Sequence, residues 1–259
     1  MLKIEDHGRA RLLTLDRPAA LNAFNDDLYD ALTDALRDAA DHPDVAVVVL
    51  TGNGRAFSAG QDLGELGQPR AHGDDLPHGF APFIETVEAF PKPLLAAVNG
   101  LGIGIGLTIL PHCDLVFISE DARLRAPFAP LGVTIEAGGS MLLPATVGWA
   151  NTAHLVYTGS WIDADRAVEI GLAWKKFPAD RLLAETLAVA SEIAAMPIAS
   201  LVTTKRLLLA SRLEAVRSAR DRENAAFAKL VGGPANREAI AAFQEKREPD
   251  FSRLPPFSD

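Results

Sequence analysis

Residues Val45–Leu50 (VAVVVL) are apolar at every position and mostly β-branched. A strand that faces water on one side alternates apolar and polar residues; an uninterrupted run has to be covered on both faces. Pro93–Val98 and Leu115–Ile118 repeat the pattern, and Ala10–Leu15 is a shorter apolar run that ends on the turn signal Asp16-Arg17-Pro18. Between the first two runs, Asn25 is placed to cap a helix in which Leu28, Leu32 and Leu36 recur every four residues with Asp30, Asp34 and Asp38 between them. Buried strands separated by amphipathic helices specify an α/β fold with largely parallel pairing.

The pattern changes from about Gly138 onward. Helices are expected at Trp149–Tyr157, Ala164–Glu169, Arg181–Ala195, Leu201–Leu209, Glu214–Leu230 and Asn236–Lys246, with Pro197 and Gly232-Gly233-Pro234 as punctuation. The last of these have narrow apolar faces, which either finish their burial against another subunit or are simply solvated. Leu63–Pro82, rich in Gly, Pro, His and Asp, is expected to be irregular, with His72 and His78 in solvent. The chain divides into a core over 1–197 and a helical region over 198–259.

Composition narrows the function. A formal charge of -9 reverses the sign of any long-range attraction to nucleic acid or anionic membrane. The single cysteine, Cys113, cannot form an internal disulfide. The opening MLKIEDHGRARLL has no apolar core of signal-peptide length, no eighteen-residue apolar run occurs, and the last residues are not a peroxisomal tripeptide. A soluble, reduced, cytoplasmic chain is expected. The six histidines lack metal-ligand spacing, so no metal is expected. Pro111-His112-Cys113-Asp114 places three reactive residue types side by side, which cannot converge on one atom, so it is read as packing.

Two glycine-rich stretches follow buried strands: TGNGRAFSAGQDL (51–63) and NGLGIGIGL (99–107). Neither has the dinucleotide spacing G-x-G-x-x-G nor the phosphate loop G-x-x-x-x-G-K-[ST]. Alternate glycines allow tight bending and close backbone approach, and a helix starting near Leu107 would leave free N–H groups at its end. From the glycines alone, two tight turns are an equally good reading.

Taken together with Arg17-Pro18, Asn22-Ala23, KPLLAAVNGLGIGIGL, Thr158-Gly159, Ile162-Asp163-Ala164, Gly171-Leu172 and EKREPDF, these stretches resemble the enoyl-CoA hydratase/isomerase (crotonase) superfamily, in order and over about residues 10–251. The resemblance implies a crotonase-like spiral of ββα units, a C-terminal helical trimerisation region, an acyl-CoA thioester as ligand and no separate cofactor. A homotrimer or hexamer follows from it, as does an oxyanion hole made by the backbone N–H groups of Gln61 and Ile105. Ala23, Ala59, Asp62 and Gly104 are implied around the CoA; Arg17, Arg55 and Lys92 are cations near those turns that either meet its phosphates or, at least as readily, sit solvated at the surface. Asp62 is expected to hold its loop through hydrogen bonds to backbone.

Where hydratases of this superfamily carry two glutamates, this chain has Thr108 and Phe128. Neither ionises near neutrality, and hydration needs groups that activate water and deliver a proton. Glu136, in LGVTIEAGGS (131–140), resembles the catalytic glutamate of Δ3,Δ2-enoyl-CoA isomerases. From the residues alone it is first a helix-opening acid; within the resemblance it is a single base for a double-bond shift, with Ile135 and Phe128 raising its pKa. The alternatives are a catalytically silent acyl-CoA binder, a hydratase and a ring-opening isomerase.

Overall fold

The computed structural model describes residues 1–62 and 78–255. In chain order its strands are β1 (Leu2–His7), β2 (Ala10–Leu15), β3 (Val47–Gly52), β4 (Ala56–Ser58), β5 (Leu94–Val98), β6 (Leu101–Ile103), β7 (Leu115–Ser119), β8 (Arg123–Arg125), β9 (Ile162–Asp163) and β10 (Lys175–Phe177). The helices are α1 (Asp26–Asp41), α2 (Phe80–Glu88), α3 (Ile105–Thr108), α4 (Gly139–Val147), α5 (Trp149–Thr158), α6 (Ala164–Glu169), α7 (Leu182–Ala194), α8 (Ile198–Ala210), α9 (Leu213–Leu230) and α10 (Pro234–Glu245).

The strands form two sheets. The larger runs β1-β2-β3-β5-β7-β10, parallel except for the β1–β2 hairpin. The smaller runs β4-β6-β8-β9. Each turn of the spiral lays one strand in the large sheet and a short one in the small sheet, as β3 then β4, β5 then β6, and β7 then β8. This is why the apolar strands are covered on both faces: Val48, Leu50, Leu94 and Val98 face one cluster with α1, while Val47, Val49, Leu95 and Ala97 face another with α7. Asn25 caps α1 by accepting from the Leu28 N–H at 3.1 Å.

The expected helices are present. β1 is not among the expected strands; its residues are nearly all exposed, so it lacks an apolar run. The expected irregular segment extends too far: residues 63–77 lie outside the described ones, but α2 begins at Phe80 and buries Pro82, Phe83, Ile84 and Val87. His72 lies outside the described residues. His78 is not in open solvent; it is half-buried, with Nδ1 3.7 Å from Asp26.

The helical region after 198 is anchored to the core at several points. Lys205 Nζ donates to Asp114 Oδ2 at 2.7 Å and to the Lys92 carbonyl at 2.8 Å. Asn236 Nδ2 donates to the Leu131 carbonyl at 2.8 Å. Asp114 also accepts from the Leu94 N–H at 2.7 Å, so the Cys113-Asp114 pair is packing, as expected. Leu207, Leu208 and Phe243 remain exposed on the outer side of this region.

Candidate active site

The two glycine-rich stretches end side by side. β4 and β6 pair in parallel, and each is followed at once by a turn. Gly60 sits at φ +95° and Gly104 at φ +55°, both in the region that L side chains avoid. A methyl group on Gly60 would stand 2.9 Å from the Ile103 carbonyl oxygen, and one on Gly106 would stand 2.6 Å from the Ser58 carbonyl oxygen. The turns therefore touch through bare backbone, with Gln61 and Ile105 each one residue beyond the contact.

Their amides are turned outward for a reason. Phe24 bridges Gln61 by donating to the Gly60 carbonyl at 2.8 Å and accepting from the Asp62 N–H at 2.8 Å. Backbone groups alternate along an extended segment, so the Gln61 N–H points away from Phe24. Ile105 is the first residue of α3, whose first backbone bonds are Leu107 N–H and Thr108 N–H to the Gly104 carbonyl. Its own N–H has no acceptor within the helix. The Gln61 side chain is held separately, its Oε1 accepting from the buried Tyr29 hydroxyl at 2.9 Å.

Glu136 stands against this helix. Its Oε1 lies 3.3 Å from Thr108 Oγ1, which lies equally 3.3 Å from the Gly104 carbonyl. Glu136 does not open a helix: α4 starts only at Gly139. The group is half-buried, and burial pushes its pKa up to about 7; Thr108 opposes the shift and the Glu223 charge reinforces it. The Tyr29 phenol is raised well above its usual value by burial first and then by the Glu136 and Asp26 charges. Thr108 is fully buried and Phe128 nearly so. Glu136 is thus a carboxylate whose proton affinity suits transfer near neutrality.

The loop carrying Glu136 is held in an unusual shape. Ala137, fully buried, adopts φ +61°, a left-handed conformation that costs an alanine roughly 1–2 kcal/mol. Its carbonyl is 2.7 Å from His112 Nε2. A carbonyl only accepts, so that nitrogen carries the proton. Burial lowers the His112 pKa to about 4, which keeps the ring neutral. The Gly138 and Ser140 N–H groups both donate to the Glu223 carboxylate at 2.7 Å. Neither His112 nor Glu223 stands out as a site residue in the sequence. The available signal for Glu223 is its place beside Val216, Ala219 and Arg220 on the buried face of α9, where an acid needs a partner.

The other expected site residues are arranged as follows. Asp62 Oδ2 accepts from Arg17 Nη2 at 3.0 Å, and Arg17 Nη1 donates to the Ala23 carbonyl. This knot joins the Ala23 turn to the Gln61 loop and occupies Arg17. The Ala23 N–H donates to the Ala20 carbonyl and the Ala59 N–H to the Leu21 carbonyl, leaving only carbonyl lone pairs to offer a ligand. Gly104 supplies the tight turn before Ile105. Lys92 is not near a phosphate-binding turn in solution; it is buried, and its Nζ donates to the Ala39 and His42 carbonyls at the end of α1. Arg55 is exposed.

Comparison with known proteins agrees with this architecture. A family model described as enoyl-CoA hydratase/isomerase matches residues 8–253. The chain is 37% identical over 246 residues to the 2,3-dehydroadipyl-CoA hydratase of Escherichia coli, covering 94% of this chain and 95% of that one. It is 31% identical over 246 residues to the 1,2-epoxyphenylacetyl-CoA isomerase of the same organism, covering 93% and 94%. A crystal structure of an enoyl-CoA hydratase/isomerase from Pseudoalteromonas atlantica superposes with a TM-score of 0.93 at 37% identity, covering 96% of this chain and 99% of that one. With paired backbone turns, a raised carboxylate beside them and a match along nearly its whole length, the chain belongs to the enoyl-CoA hydratase/isomerase family.

Proposed function

We propose that this chain is an isomerase that moves a carbon–carbon double bond of an enoyl-CoA thioester from position 3 to position 2. The Glu136 carboxylate takes a proton from C2, the electrons move into a dienolate with its charge on the thioester oxygen, and the same carboxyl returns the proton at C4. No atom is added or lost. The Gln61 and Ile105 N–H groups receive the thioester oxygen, and preorganised donors of this kind favour the charged intermediate over the neutral thioester. Ala23, Ala59, Asp62 and Gly104 line the CoA side. CoA enters as part of the substrate, and no other cofactor is required. We extend the reading to a cytoplasmic homotrimer or hexamer assembled through region 198–259, where Leu207, Leu208 and Phe243 are exposed.

The observation that carries the reading is that Glu136 supplies the carboxylate beside α3 among the described residues. Glu136 faces Thr108, and Phe128 fills the second hydratase position. Hydration calls for a second group to activate water; a proton shuttle does not. The hydratase reading draws on the 2,3-dehydroadipyl-CoA hydratase relative, and the ring-opening reading on the 1,2-epoxyphenylacetyl-CoA isomerase relative.

Incubation with 3-hexenoyl-CoA in deuterated water separates these readings. The expected product is the 2-enoyl thioester, with little 3-hydroxy thioester and with substrate protium carried from C2 to C4 in competition with solvent deuterium. Conversion of a 2-enoyl-CoA to the 3-hydroxy thioester at a comparable rate would overturn the isomerase reading; binding of acyl-CoA without turnover would support the silent binder instead.

The pH dependence follows from the same carboxylate. The base form is required and its pKa is raised to about 7. Activity should therefore be full above that value and fall about tenfold per unit below it. An acid limb near the ordinary carboxylate value, in a kcat profile, would assign the proton transfer to some other group.

A further inference from the structure

We infer that Glu223 of α9 is a positioning residue for Glu136, fixing the loop that carries the base from a helix outside the spiral core. The inference rests on Glu136 being the base. Its geometry is specific. The two Glu223 oxygens each accept one backbone N–H, from Gly138 and Ser140, at 2.7 Å. Those residues lie two and four positions after Glu136, and the Gly139 N–H donates to the Glu136 carbonyl at 2.9 Å. On the other side His112 holds the Ala137 carbonyl. Four consecutive residues after the base, 137 to 140, are thus each fixed by a hydrogen bond.

The clamp is rigid at its far end as well. Glu223 is buried. Three residues earlier on α9, Arg220 sets its guanidinium 3.2 Å from Glu88 of α2, which is itself buried. A methyl group on Gly138 would stand 2.8 Å from Val216 of the same helix, so loop and helix are in direct contact. A bond from a neutral group would close the loop too. A carboxylate does more, because it takes both N–H groups at once and places a negative charge near Glu136. Among the described residues, the titratable groups around Glu136 are Tyr29 from α1, His112 before β7 and Glu223 from α9. Of these, His112 and Tyr29 are neutral at working pH, and Glu223 supplies the charge.

The variant Glu223→Gln tests this, because it keeps the size but offers one oxygen for two N–H donors. The expected kcat loss is about 10²-fold, the scale of a roughly 1 Å misplacement of a reacting group, with KM for the enoyl-CoA nearly unchanged. The acid limb of kcat should also move to lower pH, because a negative neighbour has been removed. Glu223→Asp keeps the charge but falls one methylene short; it should lose kcat while its acid limb stays in place. The exposed Glu214→Gln on the same helix should behave as wild type. Thermal unfolding of each variant reports the folded fraction. Wild-type kcat in Glu223→Gln overturns the inference, as does a loss matched by loss of folded protein with an unmoved acid limb. Glu136→Gln assayed in parallel separates the two claims: if it retains turnover, the base assignment fails, whereas if it is inactive and Glu223→Gln is normal, only the role of Glu223 fails.

Discussion

Glu136→Gln should lower kcat by about 10³-fold, within the range contributed by a positioned general acid–base, when 2-enoyl thioester is followed from a 3-enoyl-CoA. Glutamine is nearly isosteric, and its oxygen can still accept from Thr108, so the loop and the two backbone donors stay in place. KM should change little. Stability should move the other way. The folded-state pKa of Glu136 is raised from the usual carboxylate range to about 7, so the native protein binds its proton more tightly than the unfolded chain. Wild-type stability is therefore eroded as pH rises from about 4.5 to 7, by up to about 3 kcal/mol at full ionisation and less for a half-buried group. Glutamine never ionises. The variant should unfold at a higher temperature than wild type at pH 8, and the gap should close by about pH 4.5. Wild-type turnover would remove Glu136 from the mechanism, and lower stability at pH 8 would mean that its carboxylate is paired rather than strained.

Gly60→Ala is expected to reduce kcat/KM by about 10²–10³-fold, the cost of losing an oxyanion donor. The residue is at φ +95°, and its new methyl group would stand 2.9 Å from the Ile103 carbonyl oxygen. Backbone cannot swing aside as a side chain does, so the β4 and β6 turns must separate. The proposed pairing of the Gln61 and Ile105 amides on one oxygen would then be lost. Gly8 offers a control: it has φ +64°, and a methyl group there would meet nothing within 4 Å. Gly8→Ala should lose stability through backbone strain alone and keep its activity. If both variants retain activity, the contact between the two turns does not shape the site.

Which parts are legible in the sequence follows from what each part buries. The long strands β3, β5 and β7 are covered on both faces and betray themselves as apolar runs. The short strands β4, β6 and β8 lie inside glycine-rich or charged stretches where no periodicity can develop. β1 keeps its outward side chains in water. In the site, the two turns are visible as glycine patterns, but their partnership comes from the resemblance, since only folding brings Gly60 against Gly104. Glu136 likewise stands out through its family pattern. Lys92 is misplaced by sequence reasoning because a lysine near a turn looks solvated, whereas here it closes the end of α1 with two carbonyl bonds. Glu223 is hidden by sequence distance: its partners are more than eighty residues away.

The division of labour between Gln61, Ile105 and Glu136 sets where this scaffold can vary. In the proposed mechanism the donors for the thioester oxygen are peptide N–H groups, so any residue except proline at 61 or 105 still carries one. What the turns demand is glycine at their points of contact. The proposed base, by contrast, is one side chain, with Thr108 beside it. On that proposal, recognition of the activated acyl group is written into the main chain, while the choice of reaction is left to a handful of replaceable side chains.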